Sequence, residues 1–190
     1  MSIPVPIVLP DADHLPVVLV LASGRGERFL ASGGSTHKLQ ADLCGATVLQ
    51  RTLDAVRASG LRWHLEDVGH PGMGDSIAAA VRATRNAAGG WMVLPADLPL
   101  VQPNTLVTIA RASLDGEVLV PWFEGQRGHP VRFAASCGDA LASLKGNQGA
   151  APVVSAREAI KMIVSDPGCV LDIDTVADLE RARVAWKNRR

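Results

Sequence analysis

The stretch Val17-Val18-Leu19-Val20-Leu21-Ala22-Ser23-Gly24-Arg25-Gly26-Glu27-Arg28 determines the fold that this chain is predicted to adopt. An apolar run that stops at a glycine-containing segment is typical of a buried parallel strand followed by a loop. The glycines let the loop backbone bend freely or approach a ligand closely. Arg25, Arg28 and the later Lys38 make the region cationic. A glycine-rich, positively charged loop at the carboxyl end of a strand suits a polyphosphate.

A second apolar run leads to a carboxylate. The segment 91–94 runs into Pro95-Ala96-Asp97-Leu98-Pro99, so Asp97 lies at the end of another predicted buried strand. A carboxylate at this place could hold the magnesium ion that accompanies a nucleoside triphosphate. The loop and Asp97 together predict an enzyme that acts on nucleotides.

Length and composition narrow the class of protein. A chain of 190 residues is long enough for one domain that buries roughly 70% of its unfolded surface. The 19 basic and 19 acidic side chains give a formal net charge of zero, which argues against a dedicated nucleic-acid binder. No apolar run approaches the roughly 18 residues of a transmembrane helix. The first six residues lack the cationic start of a signal peptide.

The cysteines and the prolines carry two further expectations. Cys44, Cys137 and Cys169 are far apart and odd in number, which predicts reduced thiols in a cytoplasmic protein. Residues 1–14 contain three prolines and are expected to form a flexible N-terminal arm. A single domain is expected over residues 15–190.

Strand-like and helix-like patterns alternate along the chain. The predicted strands are 17–22, 61–68, 91–94, 118–120 and 169–173, and the predicted helices are 47–57, 75–87, 103–112, 137–144, 150–162 and 175–186. Strands that alternate with helices imply an α/β fold with a mainly parallel sheet.

Each feature taken alone has a plainer explanation. The loop 24–28 could be a dinucleotide-binding turn, but it lacks the third glycine of that fingerprint. Lys38 could be a solvated surface lysine, and Asp97 could be a turn or helix-cap residue. The segment 72–76 could be only a turn and a helix start. Composition and spacing leave these alternatives open.

The order of the segments is more specific than any one of them. Six occur in sequence: Leu21-Ala22-Ser23-Gly24-Arg25-Gly26-Glu27-Arg28 with Lys38, then 72–77, 94–101, 125–130, 146–150 and 172–179. In this order, over roughly residues 17–184, they resemble the signature segments of the MobA-like nucleotidyltransferases. The segment 125–130, Gly-Gln-Arg-Gly-His-Pro, is similar to that of the branch that includes the molybdopterin cytidylyltransferases.

The resemblance implies a three-layer α/β/α, Rossmann-like nucleotide-diphospho-sugar transferase fold. It also implies a Mg²⁺-dependent reaction in which a phosphate oxygen of an acceptor attacks the α-phosphorus of a nucleoside triphosphate, and pyrophosphate leaves. Such a reaction needs positioning and charge neutralisation more than a protein nucleophile.

Individual roles follow from the same resemblance. Arg28, Lys38 and Asp97 would be catalytic, the two cations offsetting charge on the leaving pyrophosphate. Asp97 and Asp174 would hold Mg²⁺. The nucleotide-binding residues would be Leu21, Ala22, Ser23, Gly24, Arg25, Gly26, Gly72, Met73, Gly74 and Ser76. The acceptor-binding residues would be Arg127, Gly128, His129, Pro130 and Gly149.

Three positions depart from the family pattern. Ser23 replaces a usual alanine, a small change that keeps the close backbone approach. Asn147 replaces a common aspartate and so removes a charge. Only about a dozen residues separate Gly60 from Gly72, where family members fit a strand, a helix and another strand. We therefore expect one strand–helix unit at the sheet edge to be missing, with 61–68 as the remaining strand.

The expected acceptor is molybdopterin, with CTP weakly preferred over GTP, in the biosynthesis of molybdenum cofactors. A sugar phosphate or polyol phosphate is the alternative acceptor. A catalytically silent nucleotide- or cofactor-binding accessory protein is the alternative outside the enzyme class. We expect a monomer or homodimer whose protein partner is a molybdenum enzyme or its chaperone. We expect it to bind neither nucleic acid nor membrane.

Overall fold

Seven strands form one sheet within residues 14–189, the part of the chain that the computed structural model describes. The strands are β1 (Val17–Leu21), β2 (Trp63–Glu66), β3 (Trp91–Pro95), β4 (Val118–Phe123), β5 (Gln126–Arg127), β6 (Val131–Phe133) and β7 (Ala159–Ile163). The helices are α1 (Glu27–Ala31), α2 (Val48–Ala58), α3 (Met73–Ala83), α4 (Pro103–Arg111), α5 (Gly138–Ala142), α6 (Ala151–Ser155) and α7 (Val176–Lys187).

The sheet is mainly parallel, as predicted. Its order is β2-β1-β3-β6-β4-β5, and β7 also pairs with β4. β1 is parallel to both β2 and β3, and β7 is parallel to β4. β6 is antiparallel to both β3 and β4, so β1, β2, β3, β4 and β7 all run in one direction. The carboxyl ends of these five strands therefore lie at one edge of the sheet.

Two apolar cores, one on each face of the sheet, make the fold three-layered. Val18 and Val20 of β1 pack in one core with side chains of α2, α4 and α7. Leu19 of the same strand points to the other core, which contains side chains of α3, α5 and α6. Successive side chains of a strand point to opposite faces, so a fully buried strand needs helices on both sides. The predicted α/β/α layering is confirmed.

The shortened middle of the chain ends the sheet at β2. Between α2 and α3 the described residues contain this one strand, which pairs only with β1. The predicted strand over 61–68 is thus confirmed, and it lies at the sheet edge.

The predicted helix over 150–162 is wrong in its second half. α6 ends at Ser155, and β7 begins at Ala159 and pairs in parallel with β4. In β7 exposure alternates from residue to residue, with Ile160 and Met162 less exposed than their neighbours. That period of two fits a strand, and pairing with β4 outweighs the local helical pattern.

The predicted strand over 169–173 is also wrong. A 3₁₀ turn covers Pro167–Cys169, and the extended segment after it belongs to no strand. The Ile173 amide in this segment donates to the carbonyl oxygen of Asp97, in the loop after β3, at 3.0 Å. β6, which was not among the predicted strands, pairs with β3 instead.

A buried carboxylate fastens the C-terminal segment to the loop after β3. The Asp166 side chain is 3% exposed and accepts hydrogen bonds from the amides of Gln102, at 2.8 Å, and Gly168, at 2.9 Å. Gly168 packs directly on the Leu100 carbonyl, where a Cβ would lie 1.9 Å from the oxygen. This contact positions the chain that continues to residues 172–174.

The predicted N-terminal arm lies outside the described residues except for His14, and the single-domain assignment stays a prediction. Within the described residues, none of the helices combines the length and the apolar character needed to cross a membrane. The three cysteines are free thiols, and Cys137 and Cys169 are buried.

We expect Gly168→Ala to lower the free energy of unfolding by about 1–3 kcal/mol or more, because the new methyl group overlaps backbone atoms that cannot move aside. Denaturant unfolding followed by circular dichroism measures the change. Gly69→Ala is the matched control, since a Cβ at Gly69 meets no atom within 4 Å. Equal stability of the two variants would contradict the close packing of Gly168 on the Leu100 carbonyl.

Candidate active site

A cavity of about 700 Å³ opens at the carboxyl ends of the parallel strands. The loop after β1, the segments after β2 and β3, the start of α3 and the segment before α7 form much of its wall. Lys38, Arg127, His129 and Asn147 complete it. Its lining includes Ser23, Gly24, Arg25, Gly26, Arg28, Lys38, His70, Gly72, Met73, Asp97, Arg127, His129, Asn147, Asp172 and Asp174. The structure therefore brings all three predicted catalytic residues and most predicted nucleotide-binding residues to one cavity.

The loop over 23–26, which lines this cavity, contains unpaired backbone donors. None of its four amides has a hydrogen-bond partner within the described part of the chain. The Ala22 amide, in contrast, donates to the Glu66 carbonyl oxygen at 2.8 Å, so the free donors begin at Ser23. Gly26 adopts φ 65°, a conformation that favours glycine. A row of free amides of this kind can hold an anion.

His37 stabilises the loop over 23–26 through hydrogen bonds of its imidazole ring. Its Nδ1 accepts a hydrogen bond from the Leu39 amide at 3.3 Å, and its Nε2 lies 2.8 Å from the Gly24 carbonyl oxygen. Because Nδ1 accepts, Nε2 carries the proton and donates to Gly24. This turns the Gly24 carbonyl toward the histidine and fixes the direction of the peptide groups around it.

Lys38 joins the two predicted metal ligands. Its Nζ donates to Asp97 Oδ2 at 2.6 Å and to Asp174 Oδ1 at 2.8 Å. Arg28 donates to Asp174 Oδ2 at 2.5 Å. The Lys38 and Asp97 side chains are only 12% and 15% exposed, whereas Arg28 is 80% exposed. The four groups form a network of two cations and two carboxylates.

Burial and nearby charges shift the pKa values of Lys38 and Asp172. Burial of Lys38 opposes its charge, but Asp97 and Asp174 outweigh burial and raise the pKa of Lys38 above its usual 10.5. Asp172 lies nearby, and burial followed by repulsion from Asp97 raises the pKa of its carboxyl. The site therefore concentrates carboxylates, and cations are needed to offset their negative charge.

The carboxylates fit a divalent cation. Asp97 Oδ1 is buried without a hydrogen-bond partner in the described residues, although buried carboxylate oxygens normally have one. No group of three or more His, Cys, Asp or Glu side chains in that same part of the chain is arranged to hold a metal by itself. Mg²⁺ commonly binds through one or two carboxylates together with substrate phosphates and water. Asp97 and Asp174 match this pattern once Lys38 moves from between them.

The start of α7 fixes the backbone at Asp174. Asp178 Oδ2 accepts hydrogen bonds from the amides of Asp174, at 3.2 Å, and Thr175, at 2.6 Å, and from the Thr175 hydroxyl. Thr175 in turn caps the helix by accepting from the Asp178 amide. This is a capping box, and it determines where the Asp174 side chain begins.

The start of α3 closes another side of the cavity. Ser76 Oγ makes a short contact with Ser23 Oγ and donates to the Gly72 carbonyl. Ser23, the departure from the family alanine, thus ties the loop to α3. Of the predicted nucleotide-binding residues, Leu21, Ala22, Gly74 and Ser76 are not in the cavity wall. Gly74 instead packs on the Lys145 backbone.

A second cavity of about 380 Å³ adjoins the first and shares five residues with it: Met73, Pro95, Arg127, His129 and Asn147. Its walls also include Ile77, Val93, Val120, Val131, Gly128, Gly149 and Val154. Of the predicted acceptor-binding residues, only Pro130 lines neither cavity. Its peptide bond to His129 is cis.

His129 is a half-buried residue at the junction of the two cavities. Burial lowers its pKa below the usual 6.5, against the opposing effects of the Val93 backbone and Asp97. Its Nδ1 is buried and has no hydrogen-bond partner within residues 14–189. The lowered pKa favours the neutral form of this ring.

Sequence analysis did not identify four wall or support residues: His37, Glu66, His70 and Asp172. His37 is adjacent to Lys38, and Asp172 precedes Asp174 in the last segment, so proximity to predicted residues was a usable signal. His70 likewise precedes the predicted Gly72 by two residues. Glu66 carried no such signal, since its contact with His70 depends on the course of the chain after β2.

These features define a nucleotide-binding α/β protein, because open α/β sheets bind ligands outside the carboxyl ends of their strands. The chain belongs to the MobA-like NTP transferase domain family, whose model matches residues 56–160, just over half of the chain. The match begins after the loop and Lys38.

Solved structures with low sequence identity share the fold. Rv0371c from Mycobacterium tuberculosis H37Rv is 24% identical, with a TM-score of 0.74 over 90% of this chain and 97% of that one. A nucleotidyl transferase from Methanothermobacter, Mth528, is 23% identical, with a TM-score of 0.73 over 93% and 99%. The molybdopterin-guanine dinucleotide biosynthesis protein A from Archaeoglobus fulgidus is 20% identical, with a TM-score of 0.63 over 90% and 98%.

One curated sequence matches over a short segment only. The LysR family substrate binding domain-containing protein YagP of Escherichia coli (strain K12) is 83% identical over 23 residues, 12% of this chain. The chain covers 17% of that protein's length, so the match carries no argument about fold or activity.

We expect Lys38→Met to raise the affinity for Mn²⁺ in the absence of nucleotide by about tenfold, because the ammonium no longer competes for the two carboxylates. Titration followed by electron paramagnetic resonance measures free Mn²⁺. Lys187→Met, an exposed lysine at the end of α7, is the control. Unchanged affinity in the Lys38 variant would show that Asp97 and Asp174 are not the metal ligands.

We expect Asp178→Ala to lower the free energy of unfolding by about 0.5–2 kcal/mol at neutral pH. Burial disfavours the charged form of Asp178, but hydrogen bonds from Thr175 and the backbone outweigh burial and lower its pKa below 3.8. A lowered native pKa gives stability that is present above the unfolded value and is lost as the pH falls through the native one.

The difference between wild type and Asp178→Ala should therefore shrink as the pH is lowered from neutral to below 3.8, the usual pKa of the carboxyl. Urea unfolding over this pH range measures it, with Glu180→Ala on the exposed side of the same helix as the control. A stability difference that does not change with pH would contradict a stabilising role for the ionised Asp178 side chain at the start of α7.

Proposed function

We propose that this protein transfers a nucleoside monophosphate from a nucleoside triphosphate to a phosphorylated acceptor, with release of pyrophosphate and dependence on Mg²⁺. CTP is the preferred donor over GTP, and molybdopterin is the acceptor. The observation that carries the proposal is the Lys38 ammonium held between Asp97 and Asp174 beside a loop of free amides. Family membership supports the reaction class.

The loop over 23–26 would bind the triphosphate. Its free amides and the exposed Arg25 and Arg28 face the same cavity as the carboxylates. Backbone donors of this kind are already oriented before the ligand arrives, so they lose little freedom when it binds.

The paired charges would exchange partners when substrate binds. Lys38 and Arg28 now neutralise Asp97 and Asp174, and both cations are within reach of phosphates bound at the loop. Mg²⁺ held by Asp97 and Asp174 would supply Lewis-acid polarisation of phosphate oxygens. Lys38 and Arg28 would then offset the charge that grows on pyrophosphate as it leaves.

The second cavity would hold the acceptor. Its walls are largely apolar, with Val93, Val120 and Val154 among them, while Arg127 and His129 lie at the junction with the first cavity. A flat heterocycle would pack on the apolar walls, and its phosphate would reach toward the cations at the junction. In-line attack needs this positioning of the acceptor oxygen opposite the leaving pyrophosphate.

These walls favour molybdopterin over a sugar or polyol phosphate, whose hydroxyl groups would need more polar partners than the walls provide. The fold neighbour named a molybdopterin-guanine dinucleotide biosynthesis protein supports the same acceptor. A divalent metal is supported by the neighbour Rv0371c, which has been solved as a complex with manganese. A cytoplasmic monomer or homodimer that passes its product to a molybdenum enzyme or chaperone completes the proposal.

We expect Asp97→Asn to lower pyrophosphate release by at least about a hundredfold, because a preorganised charge at the reacting phosphates is lost. The assay uses Mg²⁺ and molybdopterin with CTP, GTP, ATP or UTP in turn. Asp139→Asn, an exposed carboxylate in the first turn of α5, is the control.

Turnover in the wild type with one nucleotide, lost only in Asp97→Asn, would support the reaction and assign the base. Binding of a nucleotide without turnover would favour a different acceptor or the silent accessory protein. Normal activity of Asp97→Asn would contradict the role of Asp97.

A further inference from the structure

A buried carboxylate at the end of β2 organises two histidines. The Glu66 side chain is 8% exposed, and its Oε1 lies 3.0 Å from His70 Nε2. Its other oxygen, Oε2, lies 3.4 Å from His64 Nε2. The Glu66 carbonyl also accepts from Ala22, so the cluster is attached to the base of the phosphate-binding loop. The proposed reaction gives this cluster no role.

The Glu66 contact fixes the proton on the His70 ring. An ionised carboxylate only accepts hydrogen bonds, so His70 Nε2 must carry the hydrogen. In the neutral ring, Nδ1 is then an acceptor with a free lone pair. No residue in the described part of the chain hydrogen-bonds to this Nδ1, and it is not among the buried, unpartnered atoms. It is therefore accessible to a ligand.

His70 lies beside the predicted nucleotide-binding residues Gly72 and Met73. It lines the first cavity next to Pro71, Gly72 and Met73, in the short segment that joins β2 to α3. His64, which shares the same carboxylate, lines neither cavity. The two histidines thus have the same partner and differ in access to the cavity.

Resting on the proposed function, we propose that His70 selects the nucleobase. Its Nδ1 accepts a hydrogen bond from an exocyclic amino group, and Glu66 is the positioning residue that holds the accepting tautomer. Cytosine and guanine carry such a group. Uracil has a carbonyl oxygen in place of the cytosine amino group, and hypoxanthine lacks the guanine amino group. A carbonyl oxygen opposite Nδ1 would leave two acceptors facing each other, which a buried site disfavours.

The test compares dissociation constants, measured by calorimetry with Mg²⁺, for CTP against UTP and for GTP against ITP. We expect the wild type to prefer the amino-bearing member of a pair by about tenfold, the effect of one well-placed hydrogen bond. His70→Ala should bring that ratio close to one. His64→Ala is the matched control and should keep the wild-type ratio. His70→Gln, which retains an acceptor oxygen, should restore part of it.

Glu66→Gln tests the positioning role. The glutamine amide can donate a hydrogen bond to His70 Nε2, so the tautomer with its hydrogen on Nδ1 becomes possible. That tautomer cannot accept from an amino group at Nδ1, so the preference for CTP over UTP and for GTP over ITP should fall. Nitrogen-15 NMR of the imidazoles should show the hydrogen of His70 on Nε2 in the wild type and a mixed population in Glu66→Gln. A purely structural role for Glu66 would leave the tautomer unchanged.

The outcomes separate this inference from the proposed function. A wild type that binds nucleotides but has equal affinity within both pairs would overturn the inference alone. The same holds if His70→Ala keeps the wild-type ratio, or if His64→Ala loses it equally. A wild type that binds none of the four nucleotides would overturn the proposed function and the inference with it.

Discussion

The arrangement of the site depends on the Lys38 ammonium between Asp97 and Asp174. These side chains are 59 and 136 residues away from Lys38 in the sequence, so the bridge joins the loop region, the end of β3 and the segment before α7. Each charge is partly buried and would be costly without its partners. The bridge therefore keeps three distant segments in one arrangement while substrate is absent, and it keeps the carboxylates close enough to share one cation.

Several weaker contacts place the ends of this bridge. The Ile173 amide donates to the Asp97 carbonyl, Asp178 holds the Asp174 backbone, and Asp166 fastens the C-terminal segment. All of them involve backbone groups, which are less free to move than side-chain ends. The side chains of the network can therefore exchange partners while their backbones stay in place, as the proposed binding of a metal and a triphosphate would require.

The sequence was sufficient for the features that are local. Glycine-containing loops and apolar patterns predicted β1, β2, β3, α2 and α7, and the order of the segments predicted the family. It was insufficient where pairing decides the structure. β7 has a pattern that suits a helix until its pairing with β4 is known. The Glu66–His70 contact likewise depends on the course of the chain after β2, which no local pattern specifies.

The short connection between β2 and α3 places the Glu66–His70 contact beside the cavity. Because β2 is the last strand of the sheet and only residues 67–72 separate it from α3, the chain has little length in which to turn. That short connection brings His70 to the cavity wall and leaves Glu66, still paired beside β1, directly behind it. A histidine–carboxylate pair thus lies in the short connection at the sheet edge, beside the predicted nucleotide-binding residues Gly72 and Met73. This segment, which the sequence predicts to be shortened relative to the family pattern, is the one in which we propose that the nucleobase is selected.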